Sequence, residues 1–242
     1  MGFKGDFLNR RLRMNVAAFS DDYDPRVLSV DATQCNEFDN PDPGPPFFDG
    51  DLVQPGDLCP PGTPMAGTIG FNFSPYISAP GVVEGIEVEL QAAPIERLSL
   101  SYAVGYNRFK SDATDPSDLA YRHPDQLLQP EVNQTASIQY EFVLPGGGTL
   151  SPRLDWIYQG HNTNGDPTQP PGPGNVIPSY DLFNLRLIYE SPSGEWRTGL
   201  AVRNLTDEFY WYNFVAPGGF SVPGSPGPPR QWSLTFHRSF EL

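Results

Sequence analysis

The sequence predicts an all-β protein: an antiparallel sheet of about nine strands, of the kind that crosses a membrane as part of a β-barrel. Three observations carry this expectation. Apolar and polar residues alternate with a period of two over runs of about ten residues. The connections between these runs are alternately short and long. The 28 Pro and 24 Gly among 242 residues punctuate the chain too often for long helices. Disordered chains are poor in aromatics, whereas Phe, Tyr and Trp make up 13% of this one, so the Pro and Gly belong to loops between ordered segments. No run of about 18 apolar residues makes a transmembrane helix. A barrel strand needs only about ten residues of alternating polarity and gives a weaker signal.

The expected strands are residues 2–7, 11–23, 80–92, 97–110, 131–144, 149–160, 179–190, 195–205 and 230–242. The first is short. In the second, Leu12, Met14 and Val16 alternate with Arg11, Arg13 and Asn15. In the third, Ile86, Val88 and Leu90 alternate with Glu87, Glu89 and Gln91. The fourth is the clearest, with Leu98, Leu100, Tyr102, Val104 and Tyr106 on one face and Ser99, Ser101, Ala103, Gly105 and Asn107 on the other. The fifth sets Ala136, Ile138, Tyr140 and Phe142 against Thr135, Ser137, Gln139 and Glu141. The sixth sets Leu150, Leu154, Trp156 and Tyr158 against Ser151, Arg153, Asp155 and Gln159. The seventh sets Phe183, Leu185, Leu187 and Tyr189 against Leu182, Asn184, Arg186 and Ile188. The eighth sets Trp196, Leu200 and Val202 against Arg197, Gly199, Ala201 and Arg203, and the ninth sets Trp232, Leu234 and Phe236 against Gln231, Ser233, Thr235 and His237.

Short turns fall at residues 7–10, 93–96, 145–148 and 191–194, and long loops at about 24–72, 111–130, 161–178 and 206–229. Sorting connections by length onto two sides is the plan of an outer-membrane barrel with periplasmic turns. A soluble sandwich sorts them less cleanly, and its polar face is richer in Lys and Glu than in Ser, Gly, Asn and Thr. Tyr140, Phe142, Tyr189, Trp196 and Phe240 then fall near periplasmic strand ends, and Trp156, Tyr158, Phe183 and Trp232 near outer ends. That is the pattern of two interfacial girdles.

The formal net charge of −14 argues against nucleic acid as a partner, since phosphate neutralisation needs a basic stripe. Three scattered His, at 123, 161 and 237, give no metal signature, and no nucleophile elbow or phosphate loop is present. No catalytic, cofactor-binding or metal-ligating residues are expected. Cys35 and Cys59 lie in one Pro/Gly/Asp-rich loop and read as a disulfide formed in an oxidising compartment rather than as a metal or redox pair. Asn133-Gln134-Thr135 and Asn204-Leu205-Thr206 match a glycosylation triplet but sit in or beside strands, where the match is coincidental. The acidic loop from Ser20 to Gly44 lacks the spacing of an EF-hand and reads as a solvated loop. The N-terminus, Met1 to Asp6, has no apolar leader segment, so a chain bound for the outer membrane is expected to be missing its start.

Several segments resemble the C-terminal barrel of TonB-dependent outer-membrane receptors, and they occur in family order over nearly the whole chain. They are GFKGDFLNRRLRMNVAAFSDDYD, GVVEGIEVELQAAP, HPDQLLQPEVNQTASIQYEF with LSPRLDWIYQG, VRNLTDEFYWYNF, and the closing PRQWSLTFHRSF. The R-N-L-T-D stretch, Arg203 to Asp207, is the most specific of these. One departure is that Glu241 and Leu242 follow Phe240, where the family ends on the aromatic.

The resemblance implies that residues 1–242 are the C-terminal portion of a larger plugged barrel, with the plug domain, TonB box and early strands absent. It implies TonB-energised uptake of a scarce bulky solute of the iron–siderophore, cobalamin or glycan type across the bacterial outer membrane, with no enzymatic step. The partners implied are outer-membrane lipid, the TonB system acting through the plug, the barrel-assembly machinery acting through the last strand, and an extracellular small-molecule or glycan ligand. Glu87, Glu89, Arg153, Asp155 and Arg203 are expected to face the lumen. Tyr210, Trp211, Tyr212 and Phe214, at the start of the last outer loop, are candidate ligand contacts or members of the aromatic rim. Two rivals stay open: an inactive gene fragment or surface structural sheet, and an outer-membrane enzyme, for which only His237 lies within a strand. With nine strands, the first and last run the same way, so the isolated chain is expected to form a curved, open sheet rather than a closed ring.

Overall fold

The computed structural model describes residues 1–23, 27–29, 32–34, 52–53, 71–73, 76–78, 81–111, 130–163, 176–214 and 224–240. Within them the regular structure is entirely β. The first strands are β1 (Gly2–Phe7), β2 (Leu12–Tyr23), β3 (Val27–Ser29), β4 (Ala32–Gln34), β5 (Leu52–Val53), β6 (Phe71–Phe73) and β7 (Tyr76–Ser78). Next come β8 (Gly81–Ala92), β9 (Leu98–Ser111), β10 (Val132–Tyr140), β11 (Phe142–Val143) and β12 (Thr149–Gln159). The chain continues through β13 (Asn162–Thr163), β14 (Val176–Ile177), β15 (Tyr180–Glu190), β16 (Trp196–Arg203), β17 (Trp211–Phe214), β18 (Gly224–Pro226) and β19 (Gln231–Arg238).

Two compact units are present. One comprises Met1–Asp21, Val82–Lys110 and Asp125–Leu242, and contains the main sheet. The other comprises Asp22–Gly81 with Ser111–Pro124, where β3 pairs β7 and β4 pairs both β5 and β6.

The main sheet has the order β1-β2-β8-β9-β10-β12-β15-β16-β19, with β11 also on β12. Each long strand therefore lies beside its neighbours in sequence. This is the meander that short turns enforce, because a two- to four-residue connection can only return the chain antiparallel to itself. The nine expected strands are these nine, with ends that agree to within a few residues. The expected strand 131–144 is interrupted near Glu141, but Gln139 faces Arg153 and Phe142 faces Leu150 in one continuous register. The Glu141 amide bonds the Arg97 carbonyl at 3.0 Å across the gap. In the turn between β11 and β12, Gly146 and Gly147 have φ of +105° and +97°. Only glycine holds that conformation without strain.

The register carries each face across the sheet. Leu100, Ile138, Leu154, Leu185, Val202 and Trp232 are successive cross-strand partners on six strands. The adjacent rung runs Ser99, Gln139, Arg153, Arg186, Ala201 and Ser233. Each strand alternates, so one face of the sheet is apolar and the other polar.

These faces do not enclose a conventional core. Among the described residues the buried apolar side chains are Phe109, Ile177, Tyr180, Val202 and Tyr210. Leu234 and Trp232, by contrast, keep 74% and 64% of their surface exposed. A water-soluble protein turns its apolar face inward to remove it from water. Tyr106, Ile138 and Tyr189 on the same face are exposed as well, although Val202 is buried, and exposed apolar surface is stable where the surroundings are themselves apolar. Two polar side chains near the long-loop end of the face are paired. Gln134 accepts a hydrogen bond from the Tyr102 hydroxyl at 2.8 Å, and Asp181 accepts one from the Trp156 indole at 2.7 Å.

The sheet is open. β1 and β19 end the order and do not pair with each other, and every residue of β19 is exposed.

Candidate functional site

The polar face gathers the side chains expected to face a lumen. Arg153 and Asp155, two apart on β12, share that face and bond directly, with Nε and Nη2 of Arg153 at 2.8 and 2.7 Å from Asp155 Oδ1. The Ser101 and Ser137 hydroxyls, on the rung of Asp155, lie 2.7 Å apart. Arg203 pairs Gln231 at the C-terminal end of β16. A hollow of about 380 Å³ on this face is lined by Ser101, Ser137, Arg153, Asp155, Arg186 and Arg203 among others. Glu89 on β8 accepts a hydrogen bond from Asn15 Nδ2 at 3.0 Å, while Glu87 is exposed with no partner among the described residues. Asp6 and Arg13 form a further ion pair at 2.8 Å. Such an array of exposed hydroxyls, amides and paired charges can hydrogen-bond water, polypeptide or a polar solute. Among the described residues no three His, Cys, Asp or Glu converge to hold a metal. Among the described residues His237 hydrogen-bonds only Ser239 Oγ, at 3.3 Å, and no carboxylate orients its ring.

The aromatic stretch after β16 divides into different environments. Tyr210 is buried, with its ring 4.5 Å from that of Tyr180 and lying over Gly227, where a Cβ would stand 2.1 Å from it. Burial and the hydrogen bond to Tyr212 push the Tyr210 hydroxyl well above its ordinary value, so it stays protonated and neutral. Tyr180 is fixed in turn by donating to Gln159 Oε1 at 2.8 Å. Tyr212 is 57% exposed and Trp211 packs perpendicular to the exposed Phe209. Phe214 ends β17, and its side chain lies outside the described residues. Of the four candidate contacts, Tyr210 is thus held inside the fold, and Tyr212 is exposed. Cys35 and Cys59 also lie outside the described residues.

Composition and spacing did not indicate the work done by Arg203 to Asp207. Asn204 is almost fully buried with φ of +49°, and Asp207 has φ of +58°. Asn204 Nδ2 donates to the carbonyls of Glu208 and Pro228 at 2.8 and 3.2 Å, and its Oδ1 accepts from the Glu208 amide at 2.8 Å. Asp207 Oδ1 accepts the Arg230 amide at 2.8 Å, and the Arg230 guanidinium reaches the Leu205 carbonyl at 3.3 Å. The stretch therefore clasps both ends of the last long loop together, joining R-N-L-T-D to the P-R that opens the final strand. The only sequence signal was that both pieces were motif-like. Asn and Asp tolerate left-handed φ and bond nearby backbone, which is the chemistry such a clasp needs.

The family model described as TonB dependent receptor-like, beta-barrel matches residues 1–205. The chain belongs to this family, whose members are bacterial outer-membrane receptors and transporters. Its fold is similar to that of the siderophore receptor PiuA from Acinetobacter baumannii, at 16% identity and a TM-score of 0.61 over 98% of this chain and 27% of that one. It is likewise similar to the ferripyoverdine receptor of the outer membrane of Pseudomonas aeruginosa, at 17% identity and a TM-score of 0.60 over 99% of this chain and 26% of that one. The ferric-catecholate import receptor Fiu from E. coli K12 gives 19% identity and a TM-score of 0.58 over 99% of this chain and 27% of that one. The chain thus spans about a quarter of the length of these receptors. No curated protein matches it by sequence.

Proposed function

We propose that this chain is the C-terminal wall of a receptor barrel that takes up a scarce, bulky solute through TonB-coupled energy. The solute is of the iron–siderophore, cobalamin or glycan type. The observation that carries the reading is the two-faced open sheet: its apolar face keeps Tyr106, Ile138, Tyr189 and Trp232 exposed on four strands, and its polar face is studded with Ser, Asn, Arg and Asp. In this reading Leu98, Leu100, Val104, Ile138, Leu185, Leu187, Leu200 and Leu234 face lipid. Glu87, Glu89, Arg153, Asp155 and Arg203 face the lumen, where a plug domain supplied by further sequence would sit. Short turns are periplasmic and long loops extracellular, and Tyr212 and Trp211 meet the ligand. The chain carries out no enzymatic step. Siderophore-type solutes are favoured by the similar receptors, which are named for a siderophore or for ferric ligands.

The test uses the protein expressed from its complete reading frame in an uptake-deficient host. Uptake of labelled ferric siderophores, cobalamin and oligosaccharides is measured with and without TonB. Accumulation of one solute that disappears when TonB is deleted supports the reading. TonB-independent accumulation, or none of any solute by a correctly folded protein, sinks it. The two unpaired edge strands favour a second reading for the 242-residue polypeptide by itself, namely a fragment with no transport of its own.

A further inference from the structure

The apolar face carries a cation, Arg238, that no described residue neutralises. Arg238 ends β19 directly opposite Trp196, which follows the short turn at residues 191–194. Its guanidinium carbon stands 4.3 Å from the centre of the Trp196 ring and 4.6 Å from that of Phe240. Phe236 packs on the same indole, with ring centres 4.9 Å apart. Beyond Arg238, the Ser239 amide bonds the Glu195 carbonyl at 2.8 Å, which ties the end of the strand to the turn. Arg238 shares its face with Trp232, Leu234 and Phe236, all largely exposed. Among the described residues it makes no ion pair, and Glu190, which faces Arg197 at the turn end, falls on the opposite face by strand alternation.

Ring contacts cover the flat surfaces of a guanidinium and leave its edge N–H groups free. Those in-plane donors match the oxygens of a phosphate. A weakly hydrated cation fixed among aromatics at the rim of a lipid-facing surface lacks only an anion at headgroup depth. We propose that Arg238, held by Trp196 and Phe240, binds the phosphodiester of a glycerophospholipid in the leaflet on the short-turn side. The proposal rests on the membrane orientation given above, which places that leaflet at the periplasm. Phosphate is the chemistry recognised, and the lipid is its source because the site opens onto the apolar face.

The test uses protein from the complete reading frame, purified in mild detergent. Binding of dihexanoyl phosphatidylglycerol, inorganic phosphate and a phosphate-free galactosyl diacylglycerol of equal chain length is followed by native mass spectrometry. The expected result is one lipid bound preferentially over the galactolipid. R238A should weaken it about tenfold and R238K by less, since Lys keeps the charge but loses the stacking and the fork. Heat-modifiability on gels certifies that each variant is folded, and R238K serves if R238A is not. Equal retention of the two lipids, or no change in R238A, means a nonspecific annulus and overturns the proposal. Inorganic phosphate binding as tightly as the lipid overturns the lipid as its source. Protease accessibility of a tag placed in the 191–194 turn of intact cells checks the orientation separately. Cleavage from outside refutes the periplasmic assignment while leaving the phosphate measurement to stand or fall by itself.

Discussion

Leu100 and Ser101 are adjacent in the chain and meet different surroundings. Leu100 stands in the rung with Ile138 and Leu154, and Ser101 shares a hydrogen bond with Ser137 on the other face. An arginine at 100 would put a cation against hydrocarbon, at a cost of about 2–4 kcal/mol near the bilayer midplane, whereas at 101 it would sit among polar groups. L100R should therefore lower stability in a lipid-refolding assay by about that amount and S101R by much less, and equal losses would contradict the assignment of faces. Asn204 poses a different question, because its side chain and its backbone both contribute. N204A removes three hydrogen bonds in a buried position and forces Ala into left-handed φ, so a loss of about 2–4 kcal/mol is expected. N204G relieves the backbone part and should recover about 1 kcal/mol. Hydrogen exchange at Glu208 and Arg230, whose amides the clasp holds, reports the effect; if N204A and N204G behave alike, left-handed strain is not part of it.

At the level of elements, the strands were legible because each carries one apolar and one polar face, and a two-residue period survives even where individual residues break it. Gln134 and Asp181 break the apolar face, and their ties to Tyr102 and Trp156 explain why the pattern tolerates them. The turns were legible through Pro145-Gly146-Gly147-Gly148 and Ser191-Pro192-Ser193-Gly194, whose residue types require a reversal. The ribbons of two to four residues, β3 to β7, β13, β14, β17 and β18, were not anticipated, since so short a segment shows no period. The burial of Tyr210 was not readable either. It depends on Tyr180, thirty positions upstream, and on the bare Cα of Gly227, and no local pattern encodes contacts at that separation. The loop cysteines lie outside the described residues and are best settled chemically. A Cys35–Cys59 bridge would close a loop of about 24 residues and contribute roughly 3 kcal/mol at most. Thiol titration of the oxidised, denatured protein is expected to find no free thiols, and two would rule the bridge out.

For the main sheet, the governing fact is the odd number of strands in its order among the described residues. Along the order β1-β2-β8-β9-β10-β12-β15-β16-β19, direction reverses at each step, so β1 and β19 run the same way. A ring of this type closes antiparallel and on an even count, so these two edges cannot satisfy one another. Their unpaired amides and carbonyls are costly in lipid and are templates for another chain in water. The 242-residue polypeptide expressed alone is expected to associate or misfold, showing no heat-resistant monomer band and rapid exchange at the outer edges of β1 and β19. A stable monomer with both edges protected from exchange would refute this.

The clasp between Asp207 and Arg230 has an evolutionary corollary. Because the two ends of that loop are fastened to each other and to β15 through the Asn184 side chain, the clasp holds β16 and β19 in register without calling on residues 215–223. Insertions, deletions and wholesale replacement there leave the register of β16 and β19 untouched. A lineage can therefore rewrite this loop while the strands that flank it keep their places.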